Sequence, residues 1–324
     1  MHTIISKLLQ SEEPAIRWKV RVGLFGEDPE YQEIKSLREE IRTSQRVKML
    51  LSERGPDGRI PFHPYAKFYG AHWVLPLLAE SGYPTGDESL FPLREQVLEW
   101  LFSKTHRTGI QVIEGRTRRC TSQEANALYA MLTLGIDDER AEKLALDLVK
   151  WQWPDGGWNC DKRPQAHHAS FHESWIPVKA LALYSKKTGY VAAKKSLERA
   201  VEMFLQRKLM RRLSTNEIID PEFTLLHYPN YWHYDFLQGL RIMAEAGYIS
   251  DPRCQEALDL LESKRLPDGG FPADGRRFHH FGDRKISGKS LVQWGKNGKT
   301  TMNEFVTAET LALLKIVGRF DPQG

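Results

Sequence analysis

Ala127-Leu128-Tyr129-Ala130-Met131-Leu132-Thr133-Leu134-Gly135-Ile136-Asp137 is a helix-forming run that halts at a glycine, and the same ending returns five more times. It stands as Leu24-Phe25-Gly26-Glu27-Asp28-Pro29, Ser81-Gly82-Tyr83-Pro84, Thr188-Gly189-Tyr190, Ala246-Gly247-Tyr248 and Val317-Gly318-Arg319-Phe320-Asp321. Successive glycines are 56, 53, 54, 58 and 71 residues apart. A glycine just past the last helical turn is expected, because that position commonly takes a left-handed backbone that a Cβ makes costly. Six such endings imply six equivalent helices. Between them fall Pro56-Asp57-Gly58, Pro154-Asp155-Gly156-Gly157 and Pro267-Asp268-Gly269-Gly270, turn signals that follow amphipathic segments such as 139–152 and 253–264. The repeating unit is helix, long loop, second helix, glycine, short turn, with residues 1–10 and 15–24 as a shortened first pair. No alternating run is long enough to predict a strand. The expected fold is all-α: one domain over 1–324, in which six helical hairpins close into an (α/α)6 toroid with inner and outer rings of helices.

Composition narrows the class. The 324 residues carry 46 Lys and Arg against 42 Asp and Glu, a net charge of +4, too weak to argue for nucleic acid. No apolar stretch approaches the ~20 residues that cross a bilayer, so no transmembrane segment is expected. The first ten residues lack the apolar length and cleavage site of a secretory signal. Cys120, Cys160 and Cys254, odd in number and widely spaced, do not make a disulfide framework. These features predict a cytoplasmic protein that acts on a small molecule, with its oligomeric state open.

Gln152-Trp153-Pro154-Asp155-Gly156-Gly157-Trp158 and Leu266-Pro267-Asp268-Gly269-Gly270-Phe271 resemble the tryptophan-containing repeat of squalene cyclases and protein prenyltransferase β subunits, and 127–135 is similar to their inner helices. The resemblance spans nearly the whole chain, apart from loops 105–120, 209–230 and 272–300. It implies the toroid and a terpenoid cyclase- or prenyltransferase-like enzyme with an isoprenoid or other amphiphilic substrate in its central cavity. The family's Asp-Xaa-Asp-Asp acid is missing: Asp137-Asp138 is the nearest pair, in a short turn at the opposite rim. The Asp-rich magnesium motif is absent, and in place of the zinc-binding Asp-Xaa-Cys pair stands Trp158-Asn159-Cys160-Asp161, with cysteine first. No cofactor is therefore expected. Zinc through Cys160, His167, His168 and His172, or magnesium, stays open.

Loop lengths point to where function sits. Connections 105–120, 153–170, 209–230 and 265–300 are long and precede the inner helices, whereas 135–138 and 247–251 are short. All the long loops are expected at one rim, with the central cavity opening at the N-terminal ends of the inner helices, whose positive dipole ends favour an anionic group. Ten of the eleven histidines (His63, His72, His106, His167, His168, His172, His227, His233, His279 and His280) fall in these loops or just after them. The residues expected to bind substrate are Tyr69, His72, Trp73, Arg118, Arg119, Glu124, His168, Glu173, Trp175, Tyr231, Trp232 and Glu304. Arg116, Arg118 and Arg119, with Arg163, Arg276, Arg277 and Lys285, would form a positive lip able to grip a diphosphate.

Four residues are expected to be catalytic. Asp235 lies among aromatics beside His233, where a raised pKa would suit a general acid. His172 stands early in another inner helix at the same rim. Cys120 stands at a helix start behind arginines, which would lower its pKa and make it nucleophilic. Glu124, Glu173 and Glu304 each follow a hydroxyl residue by three positions, the spacing of a capping box, so each has a structural reading as well. Two alternatives remain at this level: a carbohydrate-active (α/α)6 hydrolase or lyase using paired carboxylates, and a non-catalytic ligand-binding toroid.

Overall fold

The computed structural model describes residues 3–280 and 287–323, so Lys285 and the side chain of His280 lie outside the described residues. The chain is mostly helical. In order come α1 (Thr3–Leu9), α2 (Pro14–Trp18) running into a π-helical turn (Lys19–Leu24), α3 (Gln32–Arg42), α4 (Gln45–Leu50), α5 (Ala71–Glu80), α6 (Phe91–Phe102) and α7 (Lys104–Thr108). Then follow α8 (Ser122–Leu134), α9 (Arg140–Trp151), α10 (Phe171–Thr188), α11 (Val191–Gln206), α12 (Phe236–Glu245), α13 (Gln255–Ser263) and α14 (Glu304–Ile316). Against expectation there are also strands: β1 (Gln111–Ile113) pairs antiparallel with β2 (Arg116–Arg118), and β3 (His279–His280) parallel with β4 (Lys289–Ser290). Two- and three-residue strands are too short to write a period-two pattern into the sequence.

The six repeat glycines all adopt the left-handed backbone, from φ +63° at Gly135 to +83° at Gly247, so the six helix ends stand where the sequence puts them. The proline–aspartate–glycine turns have a different task. In 152–158, Trp153 N–H donates to the Gly157 carbonyl (2.8 Å), Trp158 N–H to Ser174 Oγ (3.0 Å), and the Trp158 indole N–H to the Leu148 carbonyl (2.9 Å). In 266–271, Leu266 N–H donates to the Gly270 carbonyl (2.9 Å) and Phe271 N–H to Thr307 Oγ1 (2.9 Å). In both copies the turn ties itself to the helix that follows, α10 or α14. Gly156, at φ +98°, has no room for a side chain: a Cβ there would lie 2.3 Å from the Arg199 carbonyl oxygen.

The helices that end in repeat glycines pack on one another in chain order: α5 on α8, α8 on α10, α10 on α12, α12 on α14, and α14 on the π turn. Trp18 then meets the end of α5 so closely that a Cβ on Gly82 would strike its indole at 2.3 Å. The other helices cover this set, with α6 on α5 and α8, α9 on α8 and α10, α11 on α10, and α13 on α12. The division follows composition. In α5 every residue from Ala71 to Ala79 except Pro76 is buried, whereas α9 buries only one stripe, Ala141, Leu144, Ala145, Leu148 and Trp151. Among the described residues no helix is long and apolar enough to cross a membrane.

Substituting alanine separates the two glycine roles. Gly189→Ala is expected to cost about 1–2 kcal/mol, the left-handed penalty alone, because nothing lies within 4 Å of a Cβ there. Gly156→Ala should cost distinctly more, because its Cβ also collides with backbone. Urea denaturation of the two variants measures both, and equal losses would contradict the assignment.

Candidate functional site

Charged side chains meet at the centre of the helix set, each from a different helix. Lys19 of the π turn, Glu80 of α5, Lys179 of α10, Arg241 of α12 and Glu309 of α14 form one network, and Tyr129 of α8 completes it. Lys19 Nζ lies 2.8 Å from Glu309 Oε1 and 4.0 Å from Glu80 Oε2. Arg241 reaches Glu80 Oε2 at 2.8 Å and Glu309 Oε2 at 3.3 Å. Lys179 pairs with Glu80, and its ammonium sits 3.7 Å above the centroid of the Tyr129 ring. Burial, with Arg241 and Lys19 nearby, lowers the Lys179 pKa to about 7 although Glu80 pairs with it. Burial lowers Lys19 as well. Burial opposes ionisation of Glu309, yet Arg241 and Lys19 hold its carboxyl below the usual range.

This hub is one end of a narrow chamber. A cavity of about 50 Å³, room for a few water molecules, lies between Glu80, Lys179 and Arg241 and a set of aromatic and apolar walls. The walls include Trp73, Leu77, Trp175, Ile176, Tyr228 and Tyr231, with Asn126, Asn230 and Gln238 as neutral polar groups. At the rim end Phe68 stacks on Tyr231 at 3.6 Å between centroids and stands edge-on to Trp73 at 4.9 Å. Phe68 and Tyr231 are both buried, so the mouth expected at the inner-helix N-termini is roofed. The long loops fold inward there because burying large rings removes much apolar surface from water.

Of the residues expected to bind substrate, Trp73, Trp175 and Tyr231 come together on the chamber. Tyr69 packs edge-on against Phe62. His72 turns away from the cavity into Tyr65, Trp73 and Trp100, with neither ring nitrogen partnered among the described residues. Burial first, then the nearby His106, lowers its pKa to about 3. Trp232 stacks on His233 at 4.0 Å under the Lys67 ammonium, and its carbonyl accepts the Trp175 indole N–H (3.1 Å). Glu304 accepts a hydrogen bond from Ser11 and borders a separate groove with Lys7 and Arg46.

The four residues expected to be catalytic each have partners within the protein. Asp235 is the N-cap of α12. Its fully buried carboxylate accepts the N–H groups of Gln238 (3.0 Å) and His227 (3.2 Å) and the Asn230 amide (2.7 Å), and lies 3.1 Å from His227 Nδ1. Those bonds hold loop 226–235 to the helix and occupy both carboxylate oxygens. His233 lies 3.2 Å from the Asn230 carbonyl through Nδ1, and His172 Nδ1 accepts the Tyr234 N–H (2.9 Å). The Cys120 thiol is pushed up rather than down, by its bond to Cys160, by burial and by Glu173.

Much of the positive lip is engaged within the protein, while Arg276 is exposed beside Lys67 and Arg277 on a surface cleft. Arg118 is buried over Trp153 and donates to the Ala166 and Ile113 carbonyls, while Arg119 forks onto Glu124. Arg163 pairs with Asp161 and Arg277 with Glu222. The capping boxes do not form either. Thr121 and Ser170 make no side-chain cap, and Asn303, not Thr301, caps α14. Thr121 is already helical, so its hydroxyl donates to the Glu173 carbonyl (3.0 Å) instead. Glu173 accepts the Ser122 N–H (3.2 Å). Nor is the zinc set that the sequence left open brought together, since His167 and His168 are exposed. Cys160 faces Cys120 and Glu173 instead.

Sequence reasoning missed the hub. Its signal is a single charge within an otherwise uncharged stretch of helix: Lys179 after Val178 and before Ala180, Arg241 between Leu240 and Ile242, Glu309 within 305–311. Only the fold brings these isolated charges to one point.

Removing one partner of a buried ion network strands the other, so Arg241→Met is expected to cost about 3–5 kcal/mol in urea denaturation. A loss under 1 kcal/mol would contradict a buried hub. His72 gives a pH signature. Below about pH 6.5 the unfolded chain binds a proton that the folded chain refuses until about pH 3, so stability falls as pH falls through that window, by at most about 1.4 kcal/mol per pH unit. His72→Phe should flatten that part of the slope in a stability–pH series, and an unchanged slope would refute it. No family model matches this sequence and no curated protein is significantly similar to it, so the chemistry of the site alone bears on function.

Proposed function

We propose that the six helix pairs close into an (α/α)6 toroid and that the protein is a terpenoid cyclase- or prenyltransferase-like enzyme whose chamber takes an isoprenoid-like amphiphile. The apolar body lies against Trp73, Trp175 and Tyr231, and the anionic head meets Lys179 and Arg241 at the hub. One observation carries this reading: a wall of aromatic rings that ends on two cations, Lys179 and Arg241, and one carboxylate, Glu80. Ring faces favour apolar chains and also attract a cationic centre. The contact order of the helices, together with the meeting of Trp18 with Gly82 and of Lys19 with Glu80, supports closure of the ring.

Within the chamber the residue suited to exchanging a proton near neutrality is Lys179. A glycosidic-bond enzyme is less well supported, because Glu80 and Glu309 are each held by Lys19 and Arg241 and neither is free to act as an acid. Entry of a prenyl chain requires Tyr231 to part from Phe68 and the walls to move outward, since the roof is buried and the cavity of about 50 Å³ holds only a few waters.

Titration of the protein with farnesyl diphosphate, farnesol and a maltooligosaccharide tests the reading. The diphosphate should raise the melting temperature and change tryptophan emission, with farnesol binding more weakly. Trp175→Ala should weaken diphosphate binding about tenfold or more, a loss of about 1.4 kcal/mol, by removing a wall of the chamber. Binding of the diphosphate should also weaken as pH rises through about 7, where Lys179 gives up its proton and one positive charge leaves the floor. Stabilisation by the oligosaccharide alone, or binding of farnesyl diphosphate that Trp175→Ala does not alter, would overturn the proposal.

A further inference from the structure

Away from the chamber, two thiols and a carboxylate converge where three separate segments meet. Cys120 immediately precedes the start of α8, Cys160 lies in the loop after the Trp158 anchor, and Glu173 occupies the first turn of α10. One ligand-capable atom from each, the two Sγ and a carboxylate oxygen, lie within 4.8 Å of one another, the one such trio among the described residues. We propose that Cys120, Cys160 and Glu173 form a zinc site with three protein ligands and one open position.

Geometry supports this reading. With Zn–S of about 2.3 Å and Zn–O of about 2.1 Å, a tetrahedral site has edges of about 3.8 Å between two sulfurs and about 3.6 Å between sulfur and oxygen. Cys160 Sγ stands 3.7 Å from Glu173 Oε1, already at that edge length. The ligands are also held by a frame of hydrogen bonds. The second oxygen of Glu173 accepts the Ser122 N–H (3.2 Å), the Thr121 hydroxyl donates to the Glu173 carbonyl (3.0 Å), and the Arg119 N–H donates to the Asn159 carbonyl (3.2 Å) beside Cys160. Such outer bonds fix the orientation of metal ligands.

Ligand chemistry selects the ion. Two thiolates favour a borderline-soft cation such as Zn²⁺ over Mg²⁺ or Ca²⁺, which take oxygen ligands. Both cysteines are part-exposed, so an ion can reach them, and three protein ligands leave the fourth position for water or an incoming group. This inference stands apart from the reading of the chamber.

Cobalt(II) titration of the reduced, chelator-treated full chain provides the test. The expected result is one Co²⁺ per chain, with thiolate-to-cobalt charge transfer in the near ultraviolet and the strong visible bands of four-coordinate cobalt, both abolished by Zn²⁺. Cys120→Ser and Cys160→Ser should each weaken Zn²⁺ binding by at least about tenfold to a hundredfold, the loss that even an outer-shell change brings. Glu173→Gln should keep the thiolate band while weakening the affinity, and Cys254→Ser should behave as the wild type. Far-UV circular dichroism identifies any variant that fails to fold, and the remaining variants then decide. A wild-type protein that binds no Co²⁺ with its thiols reduced, or affinity and a thiolate band both undiminished in the folded Cys120→Ser and Cys160→Ser variants, would overturn the site.

Discussion

A charge removed from water must find an opposite charge, and that constraint organises the centre of this protein. Lys19, Glu80, Lys179, Arg241 and Glu309 are each carried by a different helix, and each satisfies charges on other helices. A slip of one helix along its axis would leave a buried ion without its partner, a far larger penalty than a slip between apolar faces. The network therefore acts as a register device. Its contribution to net stability is a separate matter, since desolvation offsets much of what the ion pairs contribute.

The same network shapes the cavity. Aromatic walls and a charged floor make a space with two chemistries, apolar toward the rim and ionic toward the hub. The roof belongs to the loops: Phe68 and Tyr231 come from different long connections and meet face to face. Asp235 serves this roof from below, binding the loop that carries Tyr228, Asn230 and Tyr231 to the first turn of α12. Its role is to position the wall, and this explains why a carboxylate so near the aromatics has no free oxygen.

What the sequence made legible follows from the range of the physics involved. The glycine endings and proline–aspartate–glycine turns are set by backbone sterics over a few residues, so six helix ends and their spacing could be read directly. The Asp235 cap was also local: an aspartate with Gln238 three positions later is a helix-start signature, obscured by the aromatic residues around it. The hub was out of reach because its members are spread from Lys19 to Glu309 and only tertiary packing joins them. Rim arginines misled for a related reason. Arg118 and Arg119 look like an anion clamp in the chain, yet folding delivers carbonyls, Trp153 and Glu124 to them first.

Lysine side-chain titration by nitrogen-15 nuclear magnetic resonance bears most directly on the buried hub. A resonance that loses its proton near pH 7 and vanishes in Lys179→Met is the predicted result. If no lysine resonance titrates below the ordinary value of 10.5, burial does not dominate at Lys179 and the account of the chamber floor is contradicted.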